Sequence, residues 1–596
     1  MTLDSTGADT TSRPEGWWRS AVVYQIYPRS FQDSTGTGVG DIPGITSRLD
    51  HLADLGIDII WLSPVYRSPQ VDNGYDISDY QDVDPLFGTL EDLDELTHAA
   101  HSCGIKIVMD LVVNHTSDQH PWFSESRHPG SAKRSWYFWR PARPGCEPGA
   151  PGAEPDDSPA AFAPSAWIFD AASDEYYLGI FSAGQPDLNW ENVEVRQAIY
   201  EMMRWWVARG IDGFRMDVIN LISKPEELTS GGPLPPTSTA TARIANGPRL
   251  DEFLAEMNRE VGLDELNLLT VGEMPGSTVE VARRVTDPAH RKLNMVFTFE
   301  HVTLDQASGI KWELAELSLP ALKANLAHWQ YGLAEAGWNS LYLGNHDQPR
   351  AVSRFGDDSP EHRVNSAKTL ATVLHLHKGT PYVYQGDELG MTNAPFTEIG
   401  HYRDVESLNH HAVTTGAGVP EAEVLRSLIA KSRDHARTPM QWDEGKHAGF
   451  STGPPWMSVH PDYPTVNAAT ARRDPDSVYA HFQRLTALRH DSQVVRDGRF
   501  ELLLPDDEQL WAFTRTPERP ARGTARAGSP RRLAEADVPD AGTLLVLANC
   551  SSSAAQIPLD SLPSLGGADL VLGTHGHPDP AHLEPWESRI LRLAPS

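Results

Sequence analysis

Cysteine is scarce in this chain. Its 596 residues include only three cysteines, Cys103, Cys146 and Cys550. An odd number without any Cys-x-x-Cys spacing excludes a disulfide framework and a cysteine-based zinc site. The chain is long enough to bury a large apolar core instead.

Long apolar runs are also missing. No stretch reaches about 18 apolar residues, the length that a membrane-spanning helix needs. The polar stretch Met1–Arg19 lacks the apolar segment of a secretory signal. We therefore predict a cytoplasmic protein with no membrane partner, in which residues 1–16 form a disordered lead.

Positive charge is in short supply. Fifty Lys and Arg stand against 81 Asp and Glu, which gives a net charge of −31. Such a surface repels phosphate backbones and anionic headgroups, so it argues against nucleic acid as a partner and favours a small neutral substrate. The 17 Trp, 16 Tyr and 17 Phe could form flat walls for sugars, although core packing explains most of them. The oligomeric state stays open.

Short apolar runs alternate with amphipathic helical stretches from Trp17 onward, which is typical of βα units. Most of the runs are continuously apolar, as strands of a parallel sheet buried on both faces are. Eight βα units predict an α/β fold with a closed (β/α)₈ TIM barrel, and a doubly wound open sheet is the alternative. The eight predicted strands are Ala21–Tyr27, Ile57–Leu62, Ile105–Val113, Ile211–Met216, Leu268–Val271, Met295–Phe299, Ser340–Leu343 and Pro381–Tyr384.

Two long insertions interrupt the repeat after strand ends. Residues 116–190 follow the third strand, are rich in Pro, Gly and aromatic residues, and predict a small inserted domain. Residues 387–476 follow the eighth strand and are predicted to cover the same barrel face. The barrel itself is assigned to residues 17–115 and 191–497.

The end of the chain predicts a different architecture. A helix over Val478–Arg489 would close the barrel, and short strand-like runs follow Gly498. We therefore predict a C-terminal antiparallel β-domain over residues 498–596. Within it, the Pro/Arg/Ala-rich stretch 516–541 is interpreted as a flexible loop.

Polar residues cluster where the apolar strands end. One such carboxylate is as often a cap or an ion pair as a functional group. Four such sites together are stronger evidence for a functional site, because the carboxyl ends of barrel strands converge on one face. The segments are Asp110-Leu-Val-Val-Asn114-His115 after the third strand, Gly213-Phe-Arg215-Met-Asp217-Val218 after the fourth, Val271-Gly-Glu273 after the fifth and Gly344-Asn345-His346-Asp347 after the seventh.

Asp217 and Glu273 end adjacent strands. Because neighbouring strands lie about 4.8 Å apart, their carboxyl groups are expected roughly 5–6 Å apart. Retaining glycosidases need about 5–5.5 Å and inverting ones about 6.5–9.5 Å. Position thus favours a retaining mechanism, in which one carboxylate attacks the anomeric carbon and the other acts as acid and base.

Alternation along the fourth strand assigns the roles. Arg215 lies two residues before Asp217 and points to the same side, so we expect it to keep Asp217 ionised as the nucleophile. Glu273 has no cation at that spacing, and apolar neighbours would raise its pKa above about 4.3, which suits an acid/base. Asp347, from the opposite side of the mouth, could hold sugar hydroxyls and stabilise the cationic transition state.

Two histidines lie beside these segments. A lone histidine is more often structural, but His115 follows an asparagine and His346 precedes an aspartate, each at a strand end. We predict both as donors to sugar hydroxyls.

With these four segments the chain resembles the α-amylase family of glycoside hydrolases (family 13), and the likeness runs from Trp17 to the C-terminal domain. The resemblance implies a (β/α)₈ catalytic domain, an inserted domain B and a C-terminal antiparallel β-domain. It also implies that Asp217 is the nucleophile, Glu273 the acid/base and Asp347 the transition-state stabiliser.

Within the family, the chain is most similar to the oligo-1,6-glucosidase/α-glucosidase branch. That likeness implies that Asp72 and Arg433 grip the non-reducing glucose, that Tyr75 stacks on it and that Phe181 adds a wall. An Asp72–Arg433 pair would block the far end of the substrate pocket, so that the enzyme would cleave only at chain ends (exo-cleavage). The alternative is that the two residues form a plain structural ion pair. The segments concerned are Ser63-Pro-Val-Tyr66, Asp72-Asn-Gly-Tyr75-Asp76, Gln185-Pro-Asp-Leu-Asn-Trp190 and Ala436-Arg-Thr-Pro-Met-Gln-Trp442.

Val218, directly after the predicted nucleophile, bears on linkage. In similar enzymes, valine here accompanies α-1,6 activity, whereas alanine or threonine accompanies a preference for α-1,4 links. The physical basis is the shape of the side chain beside the leaving sugar.

One loop departs from the family pattern. Related enzymes often carry a calcium loop after the first strand, but here Thr35 and Thr37 stand between Asp33 and Asp41 where acidic or Asn residues are expected. Calcium prefers about six to eight oxygens, several of them carboxylate. Two carboxylates make a weak site, so we predict no obligatory metal and no cofactor.

The sequence therefore predicts a retaining, exo-acting α-glucosidase for short oligosaccharides or disaccharides, preferring α-1,6 links of the isomaltose type, with α-1,4 links or sucrose as further options. A sucrose isomerase, a trehalose synthase or a transglucosylase would use the same carboxylates and differ in whether water reaches the glycosyl-enzyme. The remote alternative is an inactive barrel subunit of a transporter. Such subunits lack the carboxylates and carry a membrane segment, unlike this chain.

Overall fold

The computed structural model describes residues 16–230, 244–518, 542–576 and 579–594. Within them, a strand lies inside or overlaps each of the eight predicted positions, and most strands are shorter than predicted because their ends run into loops. All but the last residue of the lead predicted for residues 1–16, and most of the loop predicted for 516–541, lie outside the described residues. The strands are β1 Val23–Ile26, β2 Ile59–Leu62, β3 Lys106–Val112, β4 Gly213–Asp217, β5 Leu269–Glu273, β6 Met295–Phe297, β7 Ser340–Leu341 and β8 Thr380–Tyr384.

The eight strands form one parallel sheet that curls into a nearly closed barrel. Each strand from β1 to β5 pairs with the next one along the chain, β7 pairs with β8, and β8 returns to pair with β1. A parallel bridge between Val296 and Asn339 joins β6 to the start of β7. The predicted (β/α)₈ barrel is confirmed, and the open sheet is excluded.

One principal helix follows each strand and packs outside the barrel. In the third of these, the apolar face is buried, with Val195, Ile199, Met202, Met203 and Trp206. The eight are α1 Leu49–Leu55, α2 Leu90–Ser102, α3 Val193–Ala208, α4 Leu250–Val261, α5 Val279–Thr286, α6 Leu319–Gly332, α7 Arg363–Leu376 and α8 Val478–Asp491. Short helices also occur at Ile42–Thr46, Glu226–Ser230, Ala351–Phe355, Ala468–Ala471 and Gln493–Asp497.

The segments at the carboxyl face carry secondary structure of their own. The insertion after β3, domain B, holds a helix at Pro121–Ser126 and a three-stranded antiparallel sheet of Trp139–Arg140, Trp167–Asp170 and Glu175–Leu178. The insertion after β8 holds the helices Val405–Gly416 and Glu421–Lys431. A hairpin of Tyr66–Arg67 with Asp79–Val83, which the sequence did not predict, follows β2.

The C-terminal part is a five-stranded antiparallel sheet packed on α7. Thr369 of α7 donates a hydrogen bond to the carbonyl of Trp586 (2.7 Å), and Arg515 donates one to the carbonyl of Leu376 (2.6 Å). No helix in the described ranges is both long and apolar enough to cross a bilayer. In spatial order the strands are Arg499–Leu503, Leu510–Thr516, Leu544–Asn549, Ser588–Arg592 and Asp569–Gly573, beside a small pair of Ala555–Gln556 and His582–Leu583.

Candidate active site

Three carboxylates from neighbouring strands meet on one buried guanidinium. Arg215 Nη1 lies 2.9 Å from Asp110 Oδ1 and 2.7 Å from Asp217 Oδ1, and Nη2 lies 2.6 Å from Glu273 Oε1. The strand register explains the cluster, because Arg215 on β4 is paired with Asp110 on β3 and with Val271 on β5. Glu273, two residues beyond Val271, therefore stands beside Asp217.

The expectation that Glu273 has no cation nearby is wrong. It rested on spacing along a single strand, whereas Arg215 reaches Glu273 across the sheet. Arg215 contacts Asp217 as expected, but it is not the only group that acts on the charge of that carboxyl. Burial, and then the charge of Glu273, raise the pKa of Asp217 well above its usual value, and Arg215 opposes this only in part. Asp217 therefore binds a proton more tightly than an aspartate in water does.

Val218 contributes to the site through its backbone. Its amide donates a hydrogen bond of 3.1 Å to Glu273 Oε2. Its φ of 34° and ψ of 42° lie in the left-handed region, which is costly for a β-branched residue. The surrounding structure thus holds this amide in place against a local preference, and the amide orients the Glu273 carboxyl.

A ladder of alternating charges, which we call the end ladder, lines part of the pocket with Asp72, Arg433 and Asp347 and continues behind them with Asp404 and Arg437. Arg433 lies 3.3 Å from Asp72 and 3.0 Å from Asp347, and it also contacts Asp404. Arg437 lies 2.8 Å from Asp347 and 3.1 Å from Asp404. The predicted Asp72–Arg433 pair is present, but as part of a larger network.

Sequence reasoning assigned no role to Asp404 or Arg437. Arg437 lies inside the segment Ala436–Trp442 that supported the family resemblance, so a signal for it was available. Asp404 lies in the long insertion after β8, where no strand register places a side chain, and no comparable signal marks it.

The end ladder controls the charge of Asp347. Burial by itself would raise the pKa of Asp347, but His346, Arg433 and Arg437 more than offset this and hold that pKa far below its usual value. For Asp404, Arg433 and Arg437 likewise outweigh burial and lower the pKa to about 2. Asp347 therefore stays an anion at neutral pH.

The two predicted histidines differ in position. His115 lines the pocket, with Nε2 2.9 Å from the carbonyl of Tyr75. His346 is fully buried behind the wall: its ring stacks on that of Tyr75 at 5.2 Å, Nδ1 lies 2.7 Å from Gln25 Nε2, and Nε2 lies 3.1 Å from Asp347 Oδ2. Burial lowers the pKa of His346 to about 3, so the ring is neutral. His346 therefore supports Asp347 and Tyr75 from behind.

Most of the predicted site residues line a single pocket of about 220 Å³. Of the eleven, only Arg215 and His346 lie behind its surface. Lys311 pairs with Glu406 on its rim. The predicted residues that line the pocket are Asp72, Tyr75, His115, Phe181, Asp217, Val218, Glu273, Asp347 and Arg433. The lining residues that were not predicted are Phe162, Gln185, Pro275, Phe299, Lys311, Gln348 and Glu406.

The loop after β1 uses its carboxylates internally. Asp33 Oδ1 accepts hydrogen bonds from the amides of Thr35 and Gly36 (both 2.8 Å), and Oδ2 accepts them from the amide of Gly38 (2.7 Å) and the hydroxyl of Ser451 (2.5 Å). Asp41 caps the next helix through a bond from Gly44 (2.7 Å). These donors point hydrogen atoms at the oxygens that a calcium ion would need, so the loop does not fit that ion. In the described ranges, no cluster of three or more His, Cys, Asp or Glu side chains is arranged to hold a metal.

The chain is similar in sequence and in structure to known proteins. A family model described as "Alpha amylase, catalytic domain" matches residues 25–498. The chain is 52% identical to an oligo-1,6-glucosidase of Halalkalibacterium halodurans over 503 residues, which is 84% of this chain and 88% of that protein. It is 48% identical to an α-glucosidase of Pediococcus pentosaceus over 583 residues, 97% of this chain and 99% of that protein. The crystal structure of trehalose-6-phosphate hydrolase from Bacillus licheniformis superposes with a TM-score of 0.87, at 43% identity, covering 97% of this chain and all of the other.

Proposed function

Since the chain belongs to the α-amylase family of glycoside hydrolases, we propose that it is a retaining α-glucosidase that removes one terminal glucose at a time from short oligosaccharides or disaccharides. Links of the α-1,6 type are its preferred substrates. The oligo-1,6-glucosidase and α-glucosidase among its relatives support this assignment.

One observation carries the exo mode of action. Asp72 and Arg433 of the end ladder are paired on the wall of the pocket that Asp217 and Glu273 also line. We infer that this pairing closes the pocket at one end. A chain end can enter such a pocket, whereas the middle of a glucan cannot pass through it. Cleavage is therefore confined to the bond that joins the terminal sugar to the rest of the substrate.

The reaction follows from the positions of the carboxyl groups. The Asp217 carboxylate attacks the anomeric carbon while Glu273 gives its proton to the glycosidic oxygen, so that bond breaks and a covalent glucosyl ester forms. Asp347, held ionised by the end ladder, stabilises the positive charge of the transition state. Water then gives a proton to Glu273 and its oxygen to the anomeric carbon, which releases α-glucose and regenerates Asp217.

The wall of the pocket favours an uncharged substrate. Among the described residues, its lining includes five carboxylates, Asp72, Asp217, Glu273, Asp347 and Glu406, but only two cations, Lys311 and Arg433. Both cations are already paired with carboxylates. A phosphate on the substrate would meet an excess of negative charge. We therefore propose neutral glucosides as substrates, in contrast to the phosphorylated disaccharide in the name of the B. licheniformis hydrolase.

We further propose that no metal or other cofactor is needed. The proposal is supported by the loop after β1, where backbone amides and Ser451 occupy the Asp33 carboxylate. The proposed chemistry needs only carboxyl groups and water.

A substrate panel tests the function. Isomaltose, maltose, sucrose, trehalose and trehalose-6-phosphate are each incubated with the enzyme, and products are resolved by anomer and by size. The expected result is α-glucose, formed fastest from isomaltose and slowest from the phosphorylated sugar. Isomerised disaccharides or longer transfer products as the main product would instead identify an isomerase or a transglucosylase.

The variant Asp217→Asn isolates the nucleophile. We expect it to lower kcat by at least about a thousandfold, because the ester can no longer form. Asp506→Asn is a matched control, since it makes the same change on an exposed residue of the C-terminal part. Undiminished glucose release by Asp217→Asn would contradict the assignment, and release by neither wild type nor control would contradict the function.

A further inference from the structure

Asp110 is a carboxylate in the floor of the site with no role in the proposed chemistry. It is fully buried within β3. Its Oδ2 accepts hydrogen bonds from Trp61 Nε1 and from the hydroxyl of Tyr75, each at 3.0 Å. Its Oδ1 accepts one from Arg215 Nη1 at 2.9 Å. It is thus fixed from three sides and does not reach the pocket surface.

The charges around Asp110 do not balance. In the part of the chain that the structure describes, the cation that contacts it is Arg215, which Asp217 and Glu273 also contact. The phenols of Tyr66 and Tyr75 face it too, and burial raises the pKa of both far above the usual value, so they are neutral. Three ionised carboxylates on one guanidinium would leave two negative charges in a site shielded from water, and such an excess binds protons.

We propose that Asp110 is a positioning residue that keeps a proton on the Asp217–Glu273 pair at neutral pH, by drawing part of the charge of Arg215 towards itself. This inference rests on the proposed function, because it is the proton on Glu273 that acid catalysis consumes.

Asp110 would have this effect because it shares the Arg215 guanidinium with Asp217 and Glu273. Nη1 of Arg215 is divided between Asp110 and Asp217, so Asp217 receives only part of the stabilisation that an undivided guanidinium would give. Without the charge of Asp110, Arg215 would favour full ionisation of the pair, and the proton would leave at lower pH. Burial raises the pKa of Asp110 itself to about 6. Asp110 is therefore charged in the pH range where the acid must keep its proton.

The test is the pH profile of kcat/KM for Asp110→Asn with isomaltose. Asparagine keeps the shape of the side chain and an oxygen for Trp61 and Tyr75, and it removes the charge. We expect the basic limb of the profile to move to lower pH by about one to three units. A neighbouring charge in the same buried cluster typically shifts a pKa by that amount. Activity should be lost mainly above neutral pH and kept better below it.

Tyr66→Phe is the matched control. The hydroxyl of Tyr66 donates a 2.7 Å hydrogen bond to the carbonyl of Asp110. Its loss loosens the same residue without changing the charge of the cluster, so the basic limb should stay in place. A basic limb of Asp110→Asn that coincides with the wild-type one, or lies at higher pH, overturns the proposal, because a purely structural role does not move this limb downwards.

If Asp110→Asn does not fold, Trp61→Phe decides the question. It removes one donor to Asp110, so Asp110 takes up its proton at higher pH, and the basic limb should shift in the same direction by a smaller amount. An unmoved limb then overturns the proposal. Failure of the proposed function is distinguishable, because in that case the wild-type enzyme releases no glucose and has no profile to compare.

Discussion

Val218 contributes to the site through both its side chain and its backbone amide. Its side chain is on the pocket wall, and its amide holds Glu273 from a left-handed backbone conformation. A substitution at this position therefore changes the shape of the pocket wall directly. It changes the position of the amide only if the backbone relaxes. Alanine is also disfavoured in the left-handed conformation, although less than β-branched valine, so its main effect is on the shape of the wall.

Val218→Ala should shift the linkage preference from isomaltose towards maltose. Two methyl groups leave the wall beside the departing sugar, and pocket contacts of that size change specificity ratios by about tenfold. The measurement is the ratio of kcat/KM for isomaltose and maltose.

The matched control for Val218→Ala is Val71→Ala, which makes the same change on a side chain that is 43% exposed and outside the pocket lining. The control should leave the ratio unchanged. An unchanged ratio for Val218→Ala as well would remove linkage from the roles of this residue.

Single residues also show how far the sequence predicts the site. Asp217, Glu273 and Asp347 end strands whose apolar runs are visible in the sequence, so their meeting at one face was predictable. The contact of Arg215 with Glu273 depends on the register between β4 and β5, which no single strand reveals. For the same reason, the raised pKa of Asp217 could not be predicted.

At the scale of elements, the loop after β1 is held by its own hydrogen bonds. Asp33 ties together the amides of Thr35, Gly36 and Gly38 and reaches across to Ser451 in the insertion after β8. Although burial raises the pKa of Asp33, the bonds from Ser451 and these amides outweigh it and lower that pKa. Hydrogen bonds to the Asp33 carboxylate therefore order this loop.

This arrangement predicts stability without calcium. The melting temperature should be the same in a chelator and in millimolar calcium, whereas Asp33→Asn should lose about 1–3 kcal/mol, the usual cost of weakening a buried charged acceptor. Thermal unfolding of both proteins in both buffers measures this. A drop in the wild-type melting temperature with chelator would show that the loop, or another site, binds calcium after all.

The elements differ in how well the sequence predicts them. The barrel strands repeat one apolar pattern, so all eight were located. The hairpin Tyr66–Arg67 with Asp79–Val83 was missed because its second strand alternates polar and buried residues and is interrupted by a register shift. The long insertions were recognised by composition, but composition places no side chain, which is why Asp404 was missed.

At the scale of the whole molecule, the C-terminal sheet and the barrel share one apolar core. Together with Arg515 and Thr369, which bond across the junction, this makes the C-terminal part a structural support of the barrel. The side chains of the sheet that belong to this core are Phe500, Trp511, Phe513, Leu544, Val546, Ala548 and Ile590.

A chain that ends after Gly498 should therefore fail to fold. Burial of a large apolar side chain contributes about 1.5–3 kcal/mol, so the loss is on the order of 10 kcal/mol, comparable with a typical total stability of about 5–15 kcal/mol. Near-UV circular dichroism and glucose release by the shortened chain measure the outcome.

As a control for the shortened chain, Leu570→Ser changes a side chain of the same sheet that is 45% exposed, and its melting temperature should match the wild type. A shortened chain with native circular dichroism and full activity would show that the barrel is autonomous.

The end ladder has a consequence for how such enzymes can be recombined. Asp72 comes from the segment after β2, Asp347 follows β7, and Arg433, Asp404 and Arg437 come from the insertion after β8. A chimaera that takes one of these segments from a divergent donor would place an unmatched charge at the blind end of the pocket. We expect working hybrids to inherit the three segments together, as a single exchangeable module although they are scattered over more than half of the gene.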